Sequence, residues 1–237
     1  MNFDKRMAVA LYIVLFLSRL VKKLHEDDRE NYREKFRSEL ANKPVMKKLI
    51  EKCSEIYDNS PSKNYGPLIL MAFISLHQVG KKELNGLVKG FTVLFNMLKC
   101  SAKFGNFKLP DEGLNFGFKL HSLMKFDVDD SSLMAPVEKY LSHFIFRKRS
   151  FYADGILKQY QFLTLFYALI KWYAKAFAAQ RKDIAANAGD VKKAVSLIEK
   201  GFANHSMLLN VLETNKNFDN IFNPLFENYS MIKTILS

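Results

Sequence analysis

Metal sites need histidine, cysteine or carboxylate side chains at characteristic spacings. The five histidines are dispersed and form no HExxH or HxxxH pair, and Cys53 and Cys100 have no CxxC spacing. Asp127, Asp129 and Asp130 precede a predicted helix start, where carboxylates cap the helix and interact favourably with its dipole. The sequence therefore predicts no metal site and two free, buried cysteines in a reducing compartment.

Motifs for nucleotide binding and nucleophilic catalysis are also missing. Phosphate binding requires a glycine-rich turn between a strand and a helix, but Gly86 and Gly90 lie in a helical pattern and Gly113 and Gly117 follow a loop. No GxSxG motif marks a nucleophile. We expect no cofactor, and the sequence leaves open whether the chain is an enzyme.

The block 142–152, SHFIFRKRSFY, interleaves aromatic and basic side chains. Basic groups contact phosphates and aromatic rings stack on bases, so this combination is typical of nucleic-acid binding. At about 3.6 residues per turn, however, Arg147, Lys148 and Arg149 spread around a helix and share no face. The favoured interpretation places the aromatic rings in the core and the basic residues at a helix C-terminus, where they offset its dipole.

Lys171 lies near the middle of a long apolar stretch, 162–179. A buried ammonium group is costly unless a carboxylate pairs with it, and Glu138 is the predicted partner. The alternative is that Lys171 extends to solvent beside Lys175, one helical turn later.

The elements that position these side chains are predicted to be helices. Apolar residues recur at spacings of three and four, as in the stripe Leu87, Phe91, Leu94, Phe95 and Leu98, and no long segment alternates strictly. The predicted helices are 4–25, 27–42, 44–58, 65–79, 81–102, 112–125, 132–149, 153–181, 188–213 and 217–235, and the segment 187–190 is predicted to end one helix and cap the next. The glycines and proline of 101–117 predict irregular structure there. The predicted fold class is all-α, a multi-helix bundle of about eight to ten helices.

The length of 237 residues fits one large domain or two small ones. We expect a single helical domain over 1–237, with 1–125 and 126–237 as the alternative division. The 36 Lys and Arg against 24 Asp and Glu give a net charge of +12, spread along the chain without a basic tail.

Two apolar runs are candidates for a membrane span or a signal peptide. The run 7–17 follows Lys5 and Arg6 but is shorter than a bilayer span and lacks a small-x-small cleavage site. The stretch 162–179 carries Lys171, whose ammonium would be costly in lipid. The sequence predicts no membrane span and a cytoplasmic protein.

From Val137 onward the sequence resembles the C-terminal helical region of the flagellin lysine-N-methylase family. That region begins with an acidic-aromatic ENYLxNYLF helix, continues through a Phe-rich turn and then carries YALIK on a long apolar helix. Glu138, Tyr140, Leu141, Phe144 and Phe146 match the first motif, and 167–171 reads YALIK. The segment 202–205 is similar to a later family motif and places His205 on its histidine.

The resemblance covers about the last hundred residues well, and the helix over 4–24 also looks like one in the family. Family members carry an N-terminal cysteine cluster thought to bind an iron–sulfur centre, and nothing in this sequence corresponds to it. The resemblance therefore implies the helical companion half of such an enzyme, which would not transfer methyl groups by itself.

Three functional hypotheses follow. The first is a non-catalytic helical binding or scaffolding module with a protein partner, for example one that carries the cysteine cluster. The second is a basic helical subunit that binds nucleic acid. The third is an enzyme whose site assembles from Glu138, Tyr160, Lys171 and His205. The candidate binding residues are Glu138, Tyr140, His143, Arg147, Lys148, Arg149, Tyr160, Lys171 and His205.

Overall fold

A computed structural model describes residues 1–22, 35, 38–39, 41–80, 85–146, 155–203 and 223–237. Its helices are α1 (Phe3–Lys22), α2 (Lys43–Asn59), α3 (Gly66–Gly80), α4 (Gly86–Ser101), α5 (Phe118–Leu123), α6 (Ser131–Phe146), α7 (Gly155–Arg181), α8 (Ala188–Ile198) and α9 (Tyr229–Leu236). Two short strands, β1 (Asn106–Leu109) and β2 (Leu114–Gly117), form a hairpin between α4 and α5. The predicted all-α, multi-helix class is confirmed.

The core is built around α7. Every residue from 161 to 170 is buried, because this helix is apolar on nearly all sides and not on one stripe. Helices α1, α6 and α8 and strand β2 all pack against it. In the part of the chain that the structure describes, no helix is long and apolar enough to cross a membrane.

The hairpin corrects the prediction of a helix over 112–125. Strands β1 and β2 pair antiparallel, with Phe107 opposite Phe116, and both rings contact Trp172 of α7. A 3-10 turn and Gly113, at φ +62°, close the hairpin. Each strand has only four residues, which is too short for its alternation of buried and exposed side chains to stand out in the sequence. The helical part of the predicted segment begins at Phe118, the first residue of α5.

Side-chain caps set two helix starts, as the sequence predicts. The Asp130 carboxylate accepts a hydrogen bond from the Ser132 backbone N–H at 2.8 Å. Asn187 and Asp190 form a reciprocal capping box, with two hydrogen bonds of 3.0 Å, at the start of α8.

The remaining helix boundaries differ from prediction at a few ends. The predicted helix 188–213 ends as α8 at Ile198 and continues as one π-helical turn to Ala203, and 204–213 lies outside the described residues. The predicted helix 217–235 breaks at Asn228, whose side chain caps α9 by accepting from two backbone N–H groups. Most of the predicted helix 27–42 also lies outside the described residues.

Helix α9 is held against α1, α2 and α3. The Tyr12 hydroxyl of α1 donates to the Tyr229 carbonyl at 2.8 Å, and the Lys233 ammonium donates to the carbonyls of Tyr57 and Ser60 at 2.8 Å each. At the crossing of α3 and α9, a Cβ on Gly66 would overlap the Thr234 carbonyl. The crossing therefore requires glycine at this position.

Candidate functional site

Lys171 forms a largely buried salt bridge with Asp4. Its ammonium donates to both Asp4 carboxylate oxygens, at 2.9 and 2.7 Å, and to the Leu236 carbonyl at 2.5 Å. The two side chains are only 13% and 14% exposed. Asp4 lies in the first turn of α1, and the packing of α1 on α7 brings it to Lys171. The predicted pairing with Glu138 is wrong, and so is the alternative of a solvated ammonium.

Lys171, Asp4 and Tyr167 form one hydrogen-bonded cluster, in which the side chains are already paired with one another. An ammonium group has three protons, and the three hydrogen bonds of Lys171 account for all of them. The Tyr167 hydroxyl donates to the same Asp4 carboxylate at 2.5 Å. Burial and then the negative charge of Asp4 raise the pKa of Tyr167, so its proton stays on the hydroxyl at neutral pH. The cluster links α1, α7 and α9. Neither Lys171 nor Tyr167 is positioned to act as a base.

Glu138 belongs to a different, exposed ion pair. Its carboxylate accepts from the Arg6 guanidinium at 3.3 Å, and both side chains are about half exposed, at 48% and 52%. A surface pocket of about 300 Å³ lies beside this pair and is lined by residues of α1, α6 and the loop before α6. Exposed pairs of this kind contribute little to stability, about 0 to 1 kcal/mol.

The other predicted binding residues lie in different environments in the described structure. Tyr140 is buried in the core, His143 is exposed on α6, and Tyr160 is half-buried against the core. Arg147, Lys148, Arg149 and His205 lie outside the described residues. Nucleic-acid binding by the basic block thus stays a prediction from the sequence.

His121 has a structural role in the core. It is buried between the rings of Phe116 and Trp172, with centroid distances of 5.2 and 4.6 Å, and its Nε2 lies 3.1 Å from the Trp172 carbonyl oxygen. Burial, followed by the charge of Lys175, lowers the pKa of His121 to about 3. The ring is therefore neutral at pH 7, and we assign the Nε2 proton to the hydrogen bond with Trp172.

The cysteines are free thiols. Cys53 is buried and Cys100 is half-buried. Burial raises the pKa of both, that of Cys100 to about 11, so neither is a thiolate at neutral pH. Among the described residues, no group of three histidine, cysteine or acidic side chains is arranged to hold a metal ion.

Helix α4 turns an apolar stripe toward solvent. The stripe consists of Leu87, Phe91, Leu94, Phe95 and Leu98, and each side chain is between 52% and 73% exposed. These residues lie three and four positions apart, so they form one continuous face of the helix. We call this set the α4 apolar face.

The opposite side of α4 faces the body of the protein. The residues on this side are Val93, Asn96, Met97 and Cys100, all half-buried, and α3 is the main packing partner of the helix. The Asn96 amide donates to the Ser75 hydroxyl at 3.1 Å. No described residue of α4 is buried. The largest apolar side chains of α4 therefore face solvent, whereas an amphipathic helix usually turns them toward the core.

The α4 apolar face is large for a protein surface. Phe91 and Phe95 alone expose about 250 Å², taking roughly 200 Å² for a full phenylalanine side chain. The three leucines bring the face to about the size of the largest apolar patch on an ordinary monomer, roughly 300–600 Å², and such patches are often functional. The sequence identifies this stripe, but periodicity alone does not reveal what it faces.

Basic residues follow this face along the chain. From Asn85 to Pro110 there are four lysines and no acidic residue. The Lys99 ammonium lies 4.4 Å from the Phe95 ring centroid, and Lys103 and Lys108 are exposed. Phe104, next to Lys103, is 71% exposed. Aromatic and basic side chains are thus exposed at the end of α4 and in the segment that follows it.

No family model, curated protein or solved structure matches the chain. The likeness to flagellin lysine-N-methylases stays a prediction from the sequence motifs.

Proposed function

We propose that the chain is a non-catalytic helical binding module, similar to the helical half of a protein-lysine methylase, and that the α4 apolar face is its interaction surface. The observation that carries this proposal is the exposure of the five large apolar residues of this face. Isolated apolar residues are normal on protein surfaces, but a continuous stripe of five is typical of an interaction site.

Covering the α4 apolar face would supply a substantial part of a binding free energy. Burying one large apolar side chain completely contributes about 1.5–3 kcal/mol, so covering five that are roughly 60% exposed contributes about 5–9 kcal/mol. Association of two proteins costs about 4–15 kcal/mol in lost freedom. The face supplies a large share of a binding energy, and further contacts must supply the rest.

The polar groups that could do chemistry are occupied elsewhere in the described structure. Lys171 and Tyr167 are held by Asp4, Glu138 pairs with Arg6, and His121 is enclosed by aromatic rings. These arrangements support a binding role over catalysis.

Site-specific photo-crosslinking in the native cells tests the proposal. A photoreactive phenylalanine analogue at position 91 is expected to form an adduct with a partner, protein or lipid. The matched control places the same residue at Ile184, which is 80% exposed in the loop between α7 and α8, and is expected to form none. Circular dichroism checks that both variants remain folded. The absence of an adduct specific to position 91 would overturn the proposal.

A further inference from the structure

We propose that the α4 apolar face and the lysines that follow it bind the surface of an anionic lipid bilayer. This inference rests on the proposed function, because it names what the α4 apolar face binds. The protein would lie on the membrane without spanning it, with α4 parallel to the bilayer plane.

The shape of the surface fits a bilayer. The face runs from Leu87 to Leu98, about 16 Å along the helix at 1.5 Å per residue. It lies on the outer side of one helix, so its leucine and phenylalanine side chains project away from α3. Interfacial helices insert such a face about 5–10 Å into the boundary between headgroups and acyl chains.

A second aromatic group extends this surface beyond α4. Lys103 has a positive φ of 51°, and the Phe104 backbone N–H returns to the Lys99 carbonyl at 3.0 Å. This turn ends the helix and leaves the Phe104 ring exposed between basic residues. An exposed phenylalanine among lysines suits the membrane interface, where apolar groups insert and ammonium groups meet lipid phosphates.

Charge complementarity identifies an anionic surface. Lys99 and Lys103 lie at the end of α4 with no acidic residue within seven positions in the sequence, Lys108 follows on β1 ahead of Asp111 and Glu112, and the whole chain carries +12. Each lysine near an anionic bilayer adds electrostatic attraction to the surface. These lysines therefore strengthen the attachment that the apolar face provides.

A second copy of the chain fits the same surface less well. Pairing two α4 apolar faces would bring two sets of these lysines, and two molecules of charge +12, close together. Like charges oppose that arrangement, while an anionic bilayer supplies the opposite charge. A partner protein with an acidic amphipathic helix is the remaining alternative, and the test below separates it.

Co-sedimentation with vesicles provides the test. The full chain is mixed with vesicles of phosphatidylcholine alone and of phosphatidylcholine with phosphatidylglycerol. We expect binding to the anionic vesicles that weakens as salt is added. The double substitution Phe91→Ser and Phe95→Ser is expected to reduce the affinity at least tenfold, since it removes two of the largest inserting groups. The matched control Ile184→Ser is expected to bind as the wild type does.

Charge substitution supplies a second, independent measurement. Replacing Lys99, Lys103 and Lys108 with Gln is expected to lower affinity for anionic vesicles about 100-fold at low salt, because three contributions of about 1 kcal/mol correspond to about two tenfold steps. It should also flatten the salt dependence. Equal binding of the wild type to both kinds of vesicle, or no effect of the lysine substitutions, would contradict the proposal.

A fluorescent reporter places the helix in the bilayer. The chain has a single tryptophan, Trp172, which is buried, so Phe91→Trp adds one exposed indole to a constant background. We expect a blue shift of its emission on adding anionic vesicles and none with phosphatidylcholine alone. An unchanged spectrum in both mixtures would contradict insertion of α4.

The remaining outcomes separate this inference from the proposed function. If neither vesicle binds but position 91 crosslinks specifically to a protein, the binding module stands and the lipid surface is wrong. If sedimentation velocity finds a dimer that Phe91→Ser with Phe95→Ser abolishes, a second copy occupies the face and the lipid proposal is overturned. If position 91 gives no specific adduct in cells, the proposed function itself fails.

Discussion

The Lys171 ammonium and the Asp4 carboxylate lie 2.7 Å apart and join the central helix α7 to the first helix, α1. The Leu236 carbonyl, at the end of α9, completes the coordination of the ammonium. Three helices distant in sequence thus meet at one charged group in an otherwise apolar environment. A pair this buried stabilises the fold only while both partners are present.

Asp4→Asn is therefore expected to destabilise the protein. It leaves the Lys171 ammonium without a counter-charge in a site that is only about one-seventh exposed. Loss of one partner of a buried pair typically costs 3–5 kcal/mol, and partial exposure reduces this to about 2–4 kcal/mol. Urea denaturation measures the change in the free energy of unfolding.

Two comparisons make this prediction specific. Arg6→Gln, which breaks the exposed pair with Glu138, should cost less than about 1 kcal/mol. The double substitution Asp4→Leu with Lys171→Met should recover much of the loss, because an apolar pair avoids the unpaired charge. Equal stability of Asp4→Asn and the wild type would show that the salt bridge does not hold α1 in place.

Stability should fall as the pH is lowered from about 6.5. The folded pKa of His121 is lowered to about 3, so between those values the unfolded chain binds a proton at this ring that the folded chain does not. The free energy of unfolding then decreases by roughly 1.4 kcal/mol per pH unit. Between pH 6.5 and 5, where ordinary carboxylates remain charged, we expect a loss of about 1.6 kcal/mol from this residue.

Substitution of His121 tests whether this residue causes the pH dependence of the free energy of unfolding. His121→Gln should make the pH dependence between 6.5 and 5 shallower, although it lowers overall stability by disturbing the contacts with Phe116 and Trp172. An identical slope in His121→Gln would rule out the buried neutral ring.

Two glycines should respond to alanine in opposite directions. Gly66→Ala forces a Cβ into the Thr234 carbonyl where α3 crosses α9, and overpacking of this kind costs about 1–3 kcal/mol. Gly90 lies inside α4 with open space around it, so Gly90→Ala should stabilise by roughly 0.5–1 kcal/mol. Thermal unfolding of the two variants gives the comparison, and a stable Gly66→Ala would mean that the helices cross farther apart.

Local patterns in the sequence predicted most of the helices. The caps at Asp130 and Asn187 lie where the sequence placed them, and the apolar stretch 162–179 lies within the buried α7. The hairpin was missed because each strand has only four residues. The stability of β1 and β2 comes from packing on Trp172, a contact between segments far apart in the chain.

The site residues were harder to predict, because their partners are set by tertiary packing. The sequence indicates that Lys171 needs a carboxylate, but Asp4 is 167 positions away and nothing local distinguishes it from Glu138. The α4 stripe is evident in the sequence, whereas its orientation depends on which side of the helix α3 covers. Periodicity therefore gives the helix and its faces, and only the assembled fold reveals which face is exposed.

The α4 apolar face predicts an unusual tolerance to polar substitution. Leu98→Ser should change the free energy of unfolding by no more than about 0.5 kcal/mol, because the Leu98 side chain is 58% exposed and is not part of the core. Leu169→Ser, in the fully buried part of α7, should cost at least about 2–5 kcal/mol, since it leaves a cavity and an unpaired hydroxyl. Chemical denaturation of both variants measures the difference. A comparable loss in Leu98→Ser would mean that the stripe is covered within the folded chain, which would remove the basis for an interaction surface on α4.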